Sequence, residues 1–286
     1  MARLGKAQTP AQTAEEILHR AARIEDAFHR WRERRGRKRG LTTTIIPYSS
    51  YGATNWARVL CRVVLTRGTG APKKRAEKVR GWRSFFSIPV NDEIVTVTIG
   101  GIQVQLTPGR GGVIDEQVEV ALDPGWQTAT LNSAGSDATT AHIFIVDPSA
   151  TLGIISDVDD TVMVTALPRP LLAAWNTFVL DEHARRPVPG MAVLYDRLAR
   201  ANPIAPVIYL STGAWNVAPT LTHFLRRNLY PRGAMLLTDW GPTHDRWFRS
   251  GAEHKRESLR RLAAEFPAIK WLLIGCLLYT SDAADE

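Results

Sequence analysis

Three carboxylates fall within four positions of the stretch Gly153-Ile154-Ile155-Ser156-Asp157-Val158-Asp159-Asp160-Thr161. The apolar run in front of them delivers Asp157 and Asp159, two positions apart, to the place where a strand ends and a loop begins. Phosphoryl transfer through a covalent intermediate needs a nucleophile, a proton donor for the leaving oxygen, and a cation that offsets the charge of phosphate and carboxylates together. A DxDxT pattern supplies the first two. Asp157 can attack phosphorus, while Asp159 can protonate the leaving alcohol and then activate water against the aspartyl phosphate. The pattern alone is a weak signal, because a solvated turn or a calcium loop uses the same residue types. A calcium loop also wants further oxygen ligands at alternating positions, and Val162, Met163 and Val164 do not provide them.

Two more positions suit the same chemistry. The run VIYLST presents Ser211 or Thr212 at the end of another apolar segment, where a hydroxyl can donate to a phosphoryl oxygen or, equally, cap a helix. Gly251-Ala252-Glu253-His254-Lys255 opens a helical pattern, and Lys255 there is either a point cation for phosphate or an ordinary solvated lysine.

The elements that must position these residues follow a strand-then-helix rhythm. Residues 152–156, 207–210, 234–237 and 271–274 are short apolar runs, and 191–201, 217–228 and 252–266 have helical periodicity. That alternation predicts parallel strands with crossover helices, with functional groups at the strands' carboxyl ends. Upstream, from Leu41 to Val146, Val-, Ile- and Thr-rich runs are separated by Gly, Pro, Asn and Asp, predicting strands at 58–65, 93–99, 102–106, 117–122, 128–131 and 142–146 and a small β-sandwich-like domain. Residues 67–84 are a Gly- and Lys-rich loop. Thr13-Ala14-Glu15-Glu16 has capping-box spacing, and Ile17, Ala21, Ile24, Phe28 and Trp31 share one face of a helix that ends in RERRGRKRG.

The 286 residues carry 36 Lys plus Arg against 28 Asp plus Glu, a formal charge of +8, and 44% are hydrophobic, which excludes global disorder. Residues 1–40 hold 11 of the basic and 5 of the acidic residues, so the charge is concentrated in this arm. Such a helix can lie on an anionic membrane or pack on its own domain with its arginines solvated. Two cysteines, Cys61 and Cys276, make neither a disulfide framework nor a four-thiolate zinc site. No apolar leader opens the chain and no apolar run is long enough to span a bilayer, which predicts a soluble, cytoplasmic protein whose arm either makes peripheral membrane contact or packs on its own domain.

The order carboxylate pair, hydroxyl, lysine and final strand resembles the haloacid dehalogenase superfamily of phosphatases. GIISDVDDTV, RRPVPGMAVLYDRLA, IYLSTGAWN, LLTDWGPT and the His254-Lys255 pair narrow the resemblance to the phosphatidate phosphatase catalytic-domain family of the yeast actin-patch-protein type, over about residues 152–275. The upstream β-domain looks like the companion region of bacterial members. This resemblance implies a Rossmannoid α/β domain with Asp157 as nucleophile, Asp159 as general acid/base, Ser211 as phosphate ligand and Lys255 as charge-balancing lysine. It implies Mg2+ held by the Asp157 carboxylate and the Asp159 backbone carbonyl, and a third, acidic arm directly after the strand WLLIG. Cys276 stands there instead, opening CLLYTSDAADE, eleven residues that read as translated adapter sequence. The third metal ligand is therefore expected to be absent after Gly275 and the activity of this chain impaired.

The expected organisation is a basic helical arm at 1–40, the β-domain at 41–148, the phosphatase domain at 149–275 and the foreign tail at 276–286. The expected function is a magnesium-dependent phosphomonoesterase of lipid metabolism acting on phosphatidate. The segment 167–190 is too short for a large cap and leaves the site open; its Leu171, Leu172, Trp175 and Phe178 either meet acyl chains or form an ordinary amphipathic helix face, and Arg185 and Arg186 grip phosphate or are solvated. Phosphatase action on nucleic-acid ends or phosphoprotein is the rival within enzymes, with nucleic acid not favoured. A binding module with a degenerate phosphatase core is the rival from another class.

Overall fold

The computed structural model describes residues 31–67, 87–164, 186–238 and 251–275. The arm before residue 31, the loop at 68–86, most of 167–190 and the tail from Cys276 lie outside the described residues. Of the basic arm, α1 (31–38) is helical.

The β-rich half is built around β3 (Trp56–Arg67), a strand of 12 residues. On one edge its second half pairs with β1 (Leu41–Pro47) and its first half with β2 (Ser50–Ala53), all antiparallel. On the other edge it pairs with β4 (Ile88–Pro89) and β7 (Val113–Glu119). The sheet continues from β2 through β9 (Ser136–Ile145), β8 (Gly125–Ser133), β5 (Val95–Ile99) and β6 (Ile102–Leu106). The result is sandwich-like packing from one continuous nine-stranded sheet instead of two separate ones. The length of β3 and the β1–β2 corner explain this, since together they carry the hydrogen bonding from one layer to the other. Val97, Leu131, Ile143 and Ile145 of one layer pack with Val59, Cys61, Val63 and Ile114 of the other. Cys61 is fully buried, and burial pushes its thiol up to about 12.

The α/β half is a four-stranded parallel sheet in the order β14–β13–β10–β15. Its strands are β10 (Leu152–Asp157), β13 (Val207–Ala214), β14 (Ala234–Thr238) and β15 (Lys270–Ile274). Among the described residues three helices accompany them: α2 (Met191–Ala201), α3 (Ala218–Arg227) and α4 (Gly251–Glu265). Short strands β11 (Met163–Val164) and β12 (Arg186–Pro187) pair antiparallel and tie together the two ends of the segment between them. Gly153 is required by packing, since a Cβ there would lie 2.4 Å from the Trp271 ring.

The two halves share a core. Alternate residues of β3 serve different sides: Ala57, Val59 and Cys61 face the β-core, whereas Trp56 and Leu60 join Phe266, Met235 and Leu262 in the other cluster. Arg58 stands between Trp56 and Leu60 on that second face, 7% exposed. Its guanidinium donates to Asp115 on β7 at 2.7 Å and to Glu265 at the end of α4, and the Tyr51 hydroxyl donates to the same Glu265 carboxylate at 2.8 Å. Arg261 also reaches Asp115, at 3.1 Å. Burial opposes the charge of Arg58, but its anionic neighbours outweigh that and hold it firmly protonated. Truncating Arg58 strands two partly buried carboxylates. Arg58→Ala should lower unfolding stability by about 2 kcal/mol, a buried-pair loss discounted for the exposure of Asp115 and for its second partner. Urea unfolding measures this, and an unchanged midpoint would refute the role given to the network.

Candidate functional site

β10 is buried along its length and ends in Asp157, whose side chain keeps 12% exposure. The chain then turns sharply: the Val162 amide donates to the Val158 carbonyl at 3.1 Å and the Asp160 amide to the Met163 carbonyl at 2.8 Å. Asp160 takes φ +55, a left-handed conformation that Asp tolerates better than most residues. This turn anchors Val158 and Val162 in the core and folds Asp159 back over the strand end.

Asp157 and Asp159 sit in different environments. Asp157 Oδ1 accepts hydrogen bonds from Lys255 Nζ at 2.8 Å and from the Val158 amide at 2.9 Å. Asp159 is 8% exposed; its Oδ2 accepts from the Ser211 hydroxyl at 3.1 Å, and its Oδ1 is buried without a hydrogen-bond partner among the described residues. Burial, and next the charge of Asp157, push the Asp159 carboxyl up to about 7 against the opposing effects of Ser211 and Lys255. One carboxylate is thus held by a cation at the surface of the site, while its neighbour retains a proton at higher pH than an ordinary aspartate. Two carboxyl groups with separated environments suit a nucleophile and a proton donor.

Ser211 lies on β13, parallel to β10 and in its neighbouring position in the sheet, and is fully buried. Its hydroxyl donates to Asp159 and accepts from the Gly213 amide at 3.0 Å. Of the two hydroxyls considered in the sequence, Ser211 is the one bonded to the carboxylate pair. The pairing of β13 with β14 is irregular between Leu210 and Ala214, and Thr238 bonds across this irregularity to the Thr212 carbonyl at 3.0 Å. Lys255 reaches Asp157 from α4, whose first residue packs against Thr212; a Cβ on Gly251 would lie 2.6 Å from Thr212 Cγ2. The structure therefore brings Asp157, Asp159, Ser211 and Lys255 together from three segments of the sequence. Arg186 is exposed on β12, and Leu171, Leu172, Trp175, Phe178 and Arg185 lie outside the described residues.

Magnesium takes hard oxygen ligands and usually retains several waters. The Asp157 carboxylate fits this chemistry, since both hydrogen bonds it accepts fall on Oδ1 and leave Oδ2 for another ligand, and the orphaned Asp159 Oδ1 shows a further polar demand nearby. Among the described residues no three His, Cys, Asp or Glu side chains cluster as a ready-made cage. In the sheet Ser156 is paired with Ile274, and a Cβ on Gly275 would lie 3.8 Å from the Asp157 Cβ. The exit of β15 thus opens beside Asp157, where the resemblance implies a third arm; the residue that follows, Cys276, lies outside the described residues.

Two tyrosines support the turn from within. The buried hydroxyls of Tyr195 on α2 and Ser156 are hydrogen-bonded, and Ser156 Oγ donates to the Asp157 carbonyl at 2.7 Å. Tyr230 donates to the Val162 carbonyl at 3.0 Å, and its ring meets Tyr195 edge-on with centroids 5.5 Å apart. The carbonyls at both ends of the turn are held in this way. Burial raises the hydroxyls of Tyr195 and Tyr230 to about 12, so both remain protonated donors. Their sequence positions, one in a helical pattern and one after a helix, carried no sign of this function. Thr161 was not singled out either, and its buried hydroxyl has no hydrogen-bond partner among the described residues.

Residues 152–276 match the family described as "Phosphatidate phosphatase APP1, catalytic domain". The α/β half is accordingly a phosphatase domain. It is similar to that family over the segment its motifs led one to expect, and the match spans less than half of the 286 residues. No curated protein matched the chain. Among solved structures, a putative haloacid dehalogenase-like phosphatase from Mesorhizobium loti is 14% identical, with 54% of this chain and 71% of that one covered and a TM-score of 0.34. A carbohydrate acetylesterase from Xanthomonas citri is 9% identical, with coverage of 79% and 66% and a TM-score of 0.27. TM-scores this low carry no argument about fold or activity. No helix among the described residues is long and apolar enough to cross a membrane.

Removing the Tyr195 hydroxyl alone leaves the Ser156 oxygen with an unmet partner in a fully buried place. Tyr195→Phe should cost about 1–2 kcal/mol in chemical unfolding. A loss below a few tenths would mean that the tyrosine is held by packing alone.

Proposed function

We propose that the protein is a magnesium-dependent phosphatase that hydrolyses a phosphomonoester, phosphatidate, through an aspartyl-phosphate intermediate. The observation that carries this reading is the asymmetry of the carboxyl pair: Asp157 accepts from Lys255 at 2.8 Å, while Asp159 is buried and holds its proton more tightly. Asp157, with Oδ1 fixed by Lys255 and the Val158 amide, attacks phosphorus with a carboxylate oxygen. The bond from phosphorus to the ester oxygen breaks, and Asp159 gives that oxygen its proton, so diacylglycerol leaves as the neutral alcohol. Asp159, now a carboxylate, removes a proton from water; the resulting oxygen attacks phosphorus, and inorganic phosphate departs as the Asp157 carboxylate is regenerated. Ser211 turns its one hydroxyl proton from Asp159 to a phosphoryl oxygen, and Lys255 offsets the charge shared by phosphate and Asp157. Bound through the Asp157 carboxylate and the Asp159 carbonyl, Mg2+ supplies charge neutralisation for phosphate and carboxylates together.

The choice of phosphatidate draws support from the family match and from the short segment between β11 and β12, which has little chain with which to close over a bulky substrate. The basic residues of 1–40 suit a peripheral position on an anionic, cytoplasmic lipid surface. Release of phosphate from phosphatidate vesicles and from a 3′-phosphorylated oligonucleotide, with and without EDTA, tests the reading in this chain. Release from the vesicles should be abolished by EDTA and fall about a thousandfold or more in Asp157→Asn, because the nucleophile is lost while the shape of the site is kept. Asp157-dependent release from the oligonucleotide alone would move the substrate to nucleic acid. No Asp157-dependent release from either, in a chain given an acidic motif directly after Gly275, would favour a binding module.

A further inference from the structure

Among the described residues, the β-rich half reaches the end of the strand that carries Ser211 through a buried tyrosine. Tyr48, at the corner between β1 and β2, is 5% exposed and donates its hydroxyl proton to the Trp215 carbonyl at 3.0 Å. The two rings are stacked with centroids 4.8 Å apart and planes 21° from parallel. Beside it, the Ser49 carbonyl accepts from the Met235 amide on β14 at 3.2 Å, so the same corner lies along the edge of the parallel sheet. Trp215 is four residues past Ser211, and the chain between them leaves regular pairing with β14. In that irregular stretch the Gly213 amide bonds the Ser211 hydroxyl, and Thr238 bonds the Thr212 carbonyl. Thr238 therefore holds the stretch from within the α/β half, and Tyr48 fixes its far end from the β-rich half.

We infer that Tyr48 is a positioning residue of the phosphatase site: it fixes the segment from Ser211 to Trp215, and with it the hydroxyl that meets Asp159 and phosphate. This rests on the phosphatase reading above and gives the β-rich half a part in that reaction as a fixed support of the phosphate-binding strand end. A support built from a stacked ring and a buried hydrogen bond acts by restricting conformations, so its loss weakens phosphate binding and turnover without removing any reacting group.

The test compares wild type, Tyr48→Phe, Ser211→Ala and the double variant in hydrolysis of p-nitrophenyl phosphate, with Asp157→Asn as control, and follows amide hydrogen exchange in the same proteins. Tyr48→Phe keeps the ring and removes only the hydroxyl. It should lower kcat/KM by about 3- to 10-fold, the range expected for one buried hydrogen bond, and have little effect in the Ser211→Ala background. Exchange at 211–217 should speed up while β10 remains as protected as in wild type. An equal loss in both backgrounds would show general destabilisation and overturn the inference, as would unchanged exchange at 211–217. If Asp157→Asn leaves hydrolysis intact, the phosphatase reading fails; the exchange result then still decides whether Tyr48 holds the strand end.

Discussion

Two aspartates placed two residues apart at the end of a buried strand repel each other, and the rest of the site is organised around that repulsion. Lys255 answers it for Asp157 with a cation carried by a different element, and burial answers it for Asp159 by favouring the protonated form. Both answers depend on placement. The first requires α4 to begin close against β13, which Gly251 permits by having no side chain. The second requires a turn tight enough to bring Asp159 over the strand end, which Val158, Val162 and the two tyrosines secure.

Helix α4 connects this local requirement to the whole molecule. Near its start stands Lys255; at its end Glu265 receives Arg58 and Tyr51. One helix thus spans from Asp157 to the β-rich half. The Arg58 guanidinium has carboxylates on both sides, which offset the cost of burying its charge, while its Nε and that of Arg261 are buried without a hydrogen-bond partner among the described residues.

Much of the α/β half was legible in the sequence. The helix read at 191–201 coincides with α2, and the other two helices differ by about a residue at their ends. Here the apolar periodicity reports burial on a single face. In the β-rich half it failed where burial does not alternate. β1 buries three consecutive residues, Thr43 to Ile45, and β2 has only four residues, so neither showed a two-residue period and both were missed. β7 was placed at 117–122 instead of Val113–Glu119 because Asp115, Glu116 and Gln117 interrupt its apolar pattern; Asp115 is polar because it meets Arg58 and Arg261. Asp157, Asp159, Ser211 and Lys255 could be singled out because carboxylates, a hydroxyl and a lysine in that order beside apolar runs form a distinctive pattern. Tyr48, Tyr195 and Tyr230 were not, because a tyrosine that holds a carbonyl looks in sequence like any aromatic core residue.

The division of β3 between two cores also bears on modularity. A segment cut out to match the family's borders would leave behind Tyr48, Tyr51, Trp56 and Leu60, which pack in one cluster with Phe266 and Met235. The excised phosphatase segment would present apolar surface and an uncovered sheet edge to solvent, and would tend to associate with itself. The segment that matches the family is thus smaller than the unit that shares one core, and exchanging β-domains between relatives would require the β1–β2 corner and the outward face of β3 to travel with their α/β partner.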